Sequence, residues 1–365
     1  MATTLRAIEA HSNLRLQIIA TGMHLDPRHG DGIESIRLEG SRIERIVPWP
    51  VESGRKLSSY AAQTGHAMAA LASSFETLKC DIVLVVGDRV EAFAAASAAH
   101  LSGRVVAHIH GGDRAAGQAD DCLRHAISKL AHLHFPATKQ SAQRLIKMGE
   151  DTWRIRRCGS PGVDGIATAA ASWTQVAREF PGLSRRRFAL VVQHPVEANQ
   201  ALEGRRMREL LHAVSWSNVD RIVIVHPNND PGSGGIRRVV DAFAGDERLL
   251  IRRDIRRPLF LGLMREAAVM VGNSSSGIIE AGSFGTPVID IGPRQRGRER
   301  GRNVIHVEYG PRRISAALQK LWDGGVFLRV QAANVYGGSG AGNKIAAALA
   351  RCNLDARLRR KLIAY

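Results

Sequence analysis

The sequence predicts an α/β protein of two domains, each with a parallel β-sheet. Short apolar runs alternate with longer helical patterns, which is typical of βα units. With 365 residues, 44% of them hydrophobic, the chain is long enough for two buried cores. Nearly every apolar run ends in a polar or glycine-containing segment, and open parallel sheets bind ligands beyond the carboxyl ends of their strands. We therefore expect the functional residues in those segments.

Each predicted strand is a short apolar run bounded by turn residues. Three runs fall in the first half of the chain and four follow in the second. In order they are LQIIATG (16–22), DIVLVVG (81–87), VVAHIHG (105–111), FALVVQH (188–194), RIVIVHP (221–227), AAVMVGN (267–273) and PVIDIG (287–292).

The stretch 164–187 separates the two groups of strands and is polar and irregular. Such a composition is typical of a domain boundary, so residues 1–166 are predicted as the first domain and residues 167–340 as the second. Residues 341–365 are predicted as a helical segment that packs back on the first domain. A small-molecule site is expected in a cleft between the domains.

Charge and cysteine content limit the classes of function. The net charge of +17 fits an anionic ligand, nucleic acid or plain solubility. A nucleic-acid binder ranks last, because only 5% of the residues are aromatic and no recognised motif is present. The four widely spaced cysteines predict reduced thiols. No apolar stretch approaches the roughly 18 residues of a membrane span, and no signal peptide is recognised, so a cytoplasmic protein is expected.

The segment VVGDRVEAF places Asp88 and Arg89 where a predicted strand gives way to a helix. An aspartate in that position is commonly only a helix cap. Arg89 beside it favours an anion site, because the amino termini of helices already attract phosphate.

The segment HIHGGDRAAGQADDCLRHAISKLAHLHF (108–135) is the densest in ionisable residues. Its histidines and aspartates share no recognisable metal-ligand spacing, so no metal is expected. Asp113 follows a glycine pair that lets the backbone approach a ligand closely. Asp120 and Arg124, with Asp121 beside them, lie one turn apart at the start of a helix. They are either a capped helix with a surface ion pair or carboxylates that remove and return protons.

In the second domain, His194 lies at the end of the first predicted strand, in the segment VVQHPVE. A lone histidine is usually structural or on the surface, but one at the carboxyl end of a strand that faces a cleft is a better candidate for contact with an anionic or sugar ligand. Asn228 belongs to the loop HPNNDPGSGGI, for which turn chemistry alone is a sufficient explanation.

The segment GNSSSGIIE follows the strand AAVMVGN and predicts a cradle for a diphosphate. The cradle is formed by hydroxyl groups and by backbone N–H groups at a helix that begins near Gly277. Its residues are Ser274, Ser275, Ser276 and Gly277. Farther along, Glu280 could accept hydrogen bonds from the hydroxyls of a ribose, and Arg294 would add positive charge near the phosphates. Helix capping and a solvated helix face are the structural alternatives.

Assembled in order, these segments resemble the hydrolysing UDP-N-acetylglucosamine 2-epimerases of sialic-acid and legionaminic-acid biosynthesis. The resemblance covers nearly the whole chain. The matching segments are TGMHL (21–25), GDR (87–89), HIHGG (108–112), DDCLRHAISKLAHLH (120–134), GSPGVD (159–164), QHP (193–195), PNNDPGS (227–233), GNSSSGIIE (272–280), GTPVIDIGPRQRGRERG (285–301) and NVYG (334–337).

The resemblance implies a GT-B-like fold, with two Rossmann-like domains and parallel sheets around a central cleft. It implies elimination of UDP from UDP-N-acetylglucosamine or UDP-N,N'-diacetylbacillosamine to give a 2-acetamidoglycal. Water then adds, and the free sugar leaves with the opposite configuration at C2. No cofactor is implied, and the family suggests a homo-oligomer, a dimer or tetramer.

Residue by residue, the resemblance implies an acid/base group and a UDP-binding group. The acid/base candidates are Asp88, Asp113, Asp120 and His194, with Arg124 orienting the carboxylates. Arg89 would lie beside the diphosphate, the serines would hold phosphate, and Glu280 would hold the ribose.

Two departures from the family pattern stand out. The family reads HGGE where this chain has Asp113, which is one methylene shorter. Family members also begin with a strand that is expected near the middle of the first sheet, whereas here Met1 enters at what is predicted to be a helix. An impaired UDP-sugar-binding protein is therefore one alternative, and a GT-B glycosyltransferase is the other.

Overall fold

The structure is a computed structural model that describes residues 1–25, 32–38, 40–49, 57–114, 118–227 and 230–364. The side chains of residues 23, 35, 38, 57–60 and 118–120 also lie outside the description. The chain forms two compact units. Unit 1 contains Met1–Arg114, Gln118–Asp164 and Ser339–Tyr365, and unit 2 contains Gly165–Gly338. Within the described ranges, no helix is both long enough and apolar enough to cross a bilayer.

Unit 2 is built on one six-stranded parallel sheet in the order β11-β10-β9-β6-β7-β8. Its strands are β6 (Phe188–Val192), β7 (Arg221–Val225), β8 (Leu249–Arg252), β9 (Val269–Gly272), β10 (Val288–Ile291) and β11 (Val304–Val307). All five residues of β6 are buried. Ala189 and Val191 pack on one face of the sheet, while Phe188, Leu190 and Val192 pack on the other. This alternation buries a central parallel strand completely.

Helices cover both faces of the unit 2 sheet, and a small antiparallel hairpin lies near its end. The helices are α7 (Ile166–Ala169), α8 (Trp173–Glu179), α9 (Gln200–Ser215), α10 (Ser233–Ala242), α11 (Arg257–Glu266), α12 (Ser275–Ile279) and α13 (Pro311–Leu321). The hairpin pairs β12 (Trp322–Asp323) with β13 (Val326–Phe327). Asn199 caps α9, since its side chain accepts the N–H of Leu202.

In the described ranges of unit 1, five parallel strands form two separate sheets, β1-β2 and β3-β4-β5. The strands are β1 (Ile18–Thr21), β2 (Ile43–Val47), β3 (Ile82–Val86), β4 (Val105–Ile109) and β5 (Leu133–Phe135). Every residue of β4 is buried, but in β3 only Val85 is. In the described part of the chain, no strand pairs with β3 on the edge opposite β4.

The helices of unit 1 come from both ends of the chain. They are α1 (Ala2–Glu9), α2 (Gly32–Leu38), α3 (Leu57–Leu78), α4 (Val90–Leu101), α5 (Gln118–Leu130), α6 (Lys139–Lys147), α14 (Ala341–Ala350) and α15 (Ala356–Arg359). Helix α14 packs closely on α1, because at Gly342 a Cβ atom would lie 2.7 Å from the carbonyl oxygen of Thr3.

Two buried cations hold the end of the chain in unit 1. The Arg154 side chain donates to the backbone carbonyls of Arg357, Leu358 and Arg360 at 2.8 to 3.0 Å. The ammonium group of Lys361 lies 2.7 Å from the carboxylate of Glu150. Residues 357–361 are therefore tied to unit 1, and Leu358 belongs to its hydrophobic core.

All seven predicted strands contain an observed strand, and the helix expected at Met1 is α1. The two-residue strands β12 and β13 of the hairpin were missed. So were four strands of the parallel sheets, namely β2, β5, β8 and β11. They are three to five residues long and lie at or beside the edges of their sheets, where short strands give a weak periodic signal. The helix predicted for residues 340–365 is wrong in its middle, since residues 351–355 separate α14 from α15.

Candidate active site

The carboxyl ends of β3 and β4 gather charged side chains around one buried guanidinium group, that of Arg124 on α5. Its side chain is 2% exposed. Nη2 contacts the Asp88 carboxylate, and Nη1 lies 3.1 Å from Asp121 Oδ1. Nη1 also donates to the carbonyl oxygen of Asp113 at 3.1 Å. Arg124 thus joins the tail of β3, the loop after β4 and its own helix.

A neutral histidine fixes the turn that carries Asp88. Burial lowers the pKa of His108 to about 3, so the imidazole is uncharged. Nε2 lies 2.8 Å from the carbonyl oxygen of Gly87, which can only accept, so Nε2 carries the proton. Nδ1 is left as an acceptor 3.2 Å from the hydroxyl of Ser128. The backbone immediately before Asp88 is therefore anchored to β4.

Asp113 is 5% exposed and is held through both carboxylate oxygens. Ser141 donates its hydroxyl to Oδ1 at 2.7 Å, and His110 Nδ1 lies 2.8 Å from Oδ2. His110 Nε2 lies 3.0 Å from the hydroxyl of Ser160. Ser141 lies on α6, His110 follows β4, and Ser160 lies in the loop before α7, so three segments together fix the direction of the carboxylate.

Two other predicted residues of unit 1 have different surroundings. The Arg89 side chain is half exposed and forms an ion pair with Glu91 at 3.3 Å. Asp120 lies on α5, but its side chain is outside the described residues. Among the residues that are described, no group of three His, Cys, Asp or Glu side chains could hold a metal ion.

In unit 2, His194 is tied by its backbone to the neighbouring strand β9. The side chain of Asn273, which is fully buried, accepts the N–H of His194 at 2.7 Å and donates to its carbonyl at 2.8 Å. This reciprocal pair locks the tails of β6 and β9 together. Asn228, also predicted for the site, lies outside the described residues.

The predicted serine cradle follows β9 directly. Ser274 is the N-cap of α12, and its hydroxyl lies 2.8 Å from that of Ser276. The helix begins at Ser275, two residues before the predicted start, and Gly277 lies within its first turn. Arg294 donates to the Asn273 carbonyl at 3.2 Å, which places a guanidinium group beside the serines.

Glu280 ends α12 rather than lying within a longer helix as predicted. It is 8% exposed, and Arg257 Nη1 lies 2.8 Å from its Oε1. Burial raises the pKa of Glu280, and the guanidinium group of Arg257 opposes that rise. The carboxylate is therefore buried, directed by one cation, and located within six residues of the serine loop.

Several of these partners were not predicted as site residues. Asn273 and His110 lie inside the segments GNSSS and HIHGGD. Their position at the ends of predicted strands could have identified them as site residues. Ser160 lies in the matching segment GSPGVD, so that match was its only signal. Ser141 and Arg257 come from segments with no pattern of their own, and the tertiary fold alone brings them to the site.

Comparisons with known sequences identify the family of this chain. The family model of the UDP-N-acetylglucosamine 2-epimerases matches residues 6–350. A UDP-N,N'-diacetylbacillosamine 2-epimerase (hydrolyzing) of Legionella pneumophila is 38% identical over 310 residues, 84% of this chain and 81% of that protein. A UDP-N-acetylglucosamine 2-epimerase of Neisseria meningitidis serogroup B is 33% identical over 320 residues, 88% and 83% of the two chains.

Solved structures confirm the predicted GT-B-like α/β fold. The UDP-GlcNAc 2-epimerase from Neisseria meningitidis bound to UDP-GlcNAc has a TM-score of 0.81 at 19% identity, covering 96% of this chain and 95% of that one. The Methanocaldococcus jannaschii UDP-GlcNAc 2-epimerase in complex with UDP-GlcNAc and UDP has a TM-score of 0.75 at 17% identity, covering 95% of each chain. By the family match and the identity to its relatives, this chain belongs to the UDP-N-acetylglucosamine 2-epimerase family.

Proposed function

We propose that this protein is a hydrolysing 2-epimerase that converts a UDP-sugar to UDP and the free 2-epimeric sugar. The observation that carries the proposal is the acidic group around buried Arg124, with Asp88 and Asp121 in contact with one guanidinium group. A transferase that only moves a sugar to an acceptor does not need such a group. The name of the 38% identical relative supports the hydrolysing reaction.

The reaction requires a base that removes the C2 proton and an acid that returns one to C2. Asp88, Asp113 and Asp120 are the proposed carriers, with Asp88 and the Asp113 backbone oriented by Arg124. His194 is the candidate from unit 2. UDP leaves in the first step, and water adds at C1 in the second, so the glycal is released as a free sugar of inverted C2 configuration.

UDP is proposed to bind at the tails of β6 and β9. Ser274, Ser275, Ser276 and the N–H of Gly277 would hold phosphate oxygens, and Arg294 would balance their charge. Arg89 would add a second cation at the diphosphate. Glu280 would accept hydrogen bonds from the ribose hydroxyls, held in place by Arg257. Asn228 stays a predicted contact of the UDP moiety.

The substrate is proposed to be UDP-N-acetylglucosamine or UDP-N,N'-diacetylbacillosamine. The relatives from Neisseria meningitidis and Legionella pneumophila are named for these two sugars. The two differ away from C1 and C2, so the proposed acid/base residues serve either one. The homo-oligomeric state and the cytoplasmic location stay predictions.

One observation favours a second candidate, a UDP-sugar-binding protein with impaired catalysis. Asp88 follows β3, which has a strand partner on one edge only among the described residues. The residues proposed to hold UDP follow β9, which has partners on both edges. Loss of order at β3 would therefore affect catalysis before UDP binding.

Incubation with each UDP-sugar in deuterated water separates these functions. A hydrolysing epimerase releases UDP and a free 2-epimer with deuterium at C2. A non-hydrolysing epimerase gives the deuterated epimer still attached to UDP. Transfer only to an added acceptor would identify a glycosyltransferase, and UDP binding without turnover would identify the impaired protein. The Asp88→Asn variant is the matched control, since it should bind UDP and release no deuterated sugar.

A further inference from the structure

A chain of hydrogen bonds in unit 1 ends on the carboxylate of Asp113. The N–H of Gly162 donates to the hydroxyl oxygen of Ser160 at 3.1 Å, and that oxygen lies 3.0 Å from His110 Nε2. His110 Nδ1 lies 2.8 Å from Asp113 Oδ2, while Ser141 donates to Oδ1 at 2.7 Å. An ionised carboxylate only accepts, so Nδ1 carries a proton, and in the neutral tautomer that has this proton Nε2 accepts the Ser160 hydroxyl.

The groups of this chain are buried, and the backbone that presents them is strained. Ser160 is 1% exposed and Ser141 is 2% exposed, whereas the His110 side chain is 16% exposed. His110 has a φ of 66°, a conformation that residues other than glycine seldom adopt. Such residues persist where the surrounding structure enforces them, and they cluster at functional sites. The tight turn at Gly112, with a φ of 75°, brings helix α6 and Ser141 against Asp113.

The order Ser160–His110–Asp113 is also that of a nucleophilic triad, but burial excludes that role. A nucleophilic hydroxyl must reach the reacting atom of its substrate. The Ser160 side chain is sealed from solvent, and its oxygen already accepts the N–H of Gly162. The role that remains for these hydrogen bonds is to position Asp113.

We infer that His110 is a positioning residue for Asp113, and that Ser160 selects the tautomer of His110 that donates to the carboxylate. The inference rests on the proposed function, in which Asp113 is a proton carrier at C2. Proton transfer requires the carboxylate to be held within hydrogen-bond reach and correctly directed. Asp113 is short, so a fixed partner at each oxygen determines where its lone pairs point.

Two substitutions at His110 separate positioning from folding. In His110→Asn, the side-chain amide lies near the place of Nδ1, keeps a donor for Asp113 and tolerates a positive φ. In His110→Gly, the backbone is relaxed but the donor is gone. Lys79→Gly is the matched control, since Lys79 also has a positive φ, of 50°, and contacts none of these groups.

With the substrate that the wild type turns over, His110→Gly is expected to lower kcat roughly 100-fold with KM within about threefold. His110→Asn should recover at least about tenfold of that loss, and Lys79→Gly should leave kcat unchanged. Similar Tm values for the two His110 variants would show that folding does not explain the difference. Equal kcat values for His110→Asn and His110→Gly, or a kcat loss that follows Tm, would overturn the inference.

A second readout does not depend on turnover. In ¹⁵N-imidazole NMR spectra of the full chain, His110 should show a proton on Nδ1 that is displaced in Asp113→Asn, and an Nε2 signal that moves in Ser160→Ala. Spectra that neither substitution changes would contradict the inference, even if the enzyme is active. If the wild type turns over neither UDP-sugar, the proposed function fails first, and the pairing seen by NMR is then structural only.

Discussion

The sheets of the two units differ in continuity. In unit 2, six strands form one sheet, and every residue of its central strand β6 is buried. In unit 1, five strands divide into sheets of two and three, and four of the five residues of β3 are partly exposed. Helices on both faces and paired strands on both edges protect a parallel strand from solvent. Asp88, one of the residues proposed for acid/base chemistry, therefore follows a less protected strand than the serines proposed to hold UDP.

The largest effect is expected when the centre of the unit 1 site is removed, with Arg124→Met. The buried Asp88 contact would lose its cation, and uncompensated charge at such a site costs about 3 kcal/mol of unfolding free energy. Catalysis should fall on the order of 1,000-fold, because the orientation of two carboxylates is lost. The rate of deuterium incorporation at C2 of the released sugar gives kcat/KM, and amide exchange at β3 and β6 reports stability in each unit.

The exposed pair of Arg104 and Glu76 provides the control, since Arg104→Met removes an arginine of unit 1 far from the site. It should change kcat/KM less than about twofold. Slower amide exchange at β3 in Arg124→Met would contradict the proposed difference in stability between the units. A loss of stability at β6 as large as that at β3 would contradict it as well.

Acidification is expected to destabilise unit 1 before unit 2. Burial lowers the pKa of His108 to about 3 and that of His132 to about 4, so the folded state resists protonation that the unfolded chain accepts near pH 6.5. Stability is therefore full above pH 6.5 and falls as the pH drops toward 4. From pH 7 to pH 5, each histidine removes up to about 2 kcal/mol of unfolding free energy.

Amide exchange at β4 and β6, measured at pH 7 and pH 5, tests this difference. Opening free energies should fall at β4 and change less at β6. His132→Asn keeps an acceptor for the N–H of Val106 and removes one titrating group, so it should reduce the pH dependence at β4. An equal pH response in the two strands would contradict the assignment.

Valine-to-alanine substitutions compare how well side chains pack in β6 and in β3. Val191 in β6 is completely buried, so Val191→Ala should cost about 2 kcal/mol of unfolding free energy. Val83 in β3 is partly exposed, so Val83→Ala should cost less than about 1 kcal/mol. Denaturant unfolding of each variant gives the two values, and a larger cost at Val83 would show that β3 is as well packed as β6.

The smallest effect is expected at the proposed ribose contact of unit 2. Arg257→Met removes the cation that opposes the raised pKa of Glu280, so the carboxylate should lose its direction and part of its charge. UDP affinity should fall about tenfold, near 1.4 kcal/mol, while amide exchange at β6 stays unchanged. Calorimetric titration with UDP measures the affinity. The exposed Arg187→Met, whose partner is Asp220, serves as control and should leave UDP binding as it is.

The local sequence pattern was sufficient to predict part of this structure. All seven predicted strands exist, because a run of apolar residues ended by glycine or a polar turn has few other solutions in a chain of this composition. The segments at the strand tails were also visible, since parallel sheets place ligand residues there. Family membership followed from the order of those segments.

Only the tertiary structure decided which groups direct the site residues. Arg124 was predicted from its helical spacing, but its contact with Asp88 joins two segments that are 36 residues apart in the chain. His110, Ser141 and Ser160 meet at Asp113 because α6 and the loop before α7 fold back on the tail of β4. Sequence periodicity reports which face of an element is buried, whereas hydrogen bonds between distant segments depend on how the elements pack.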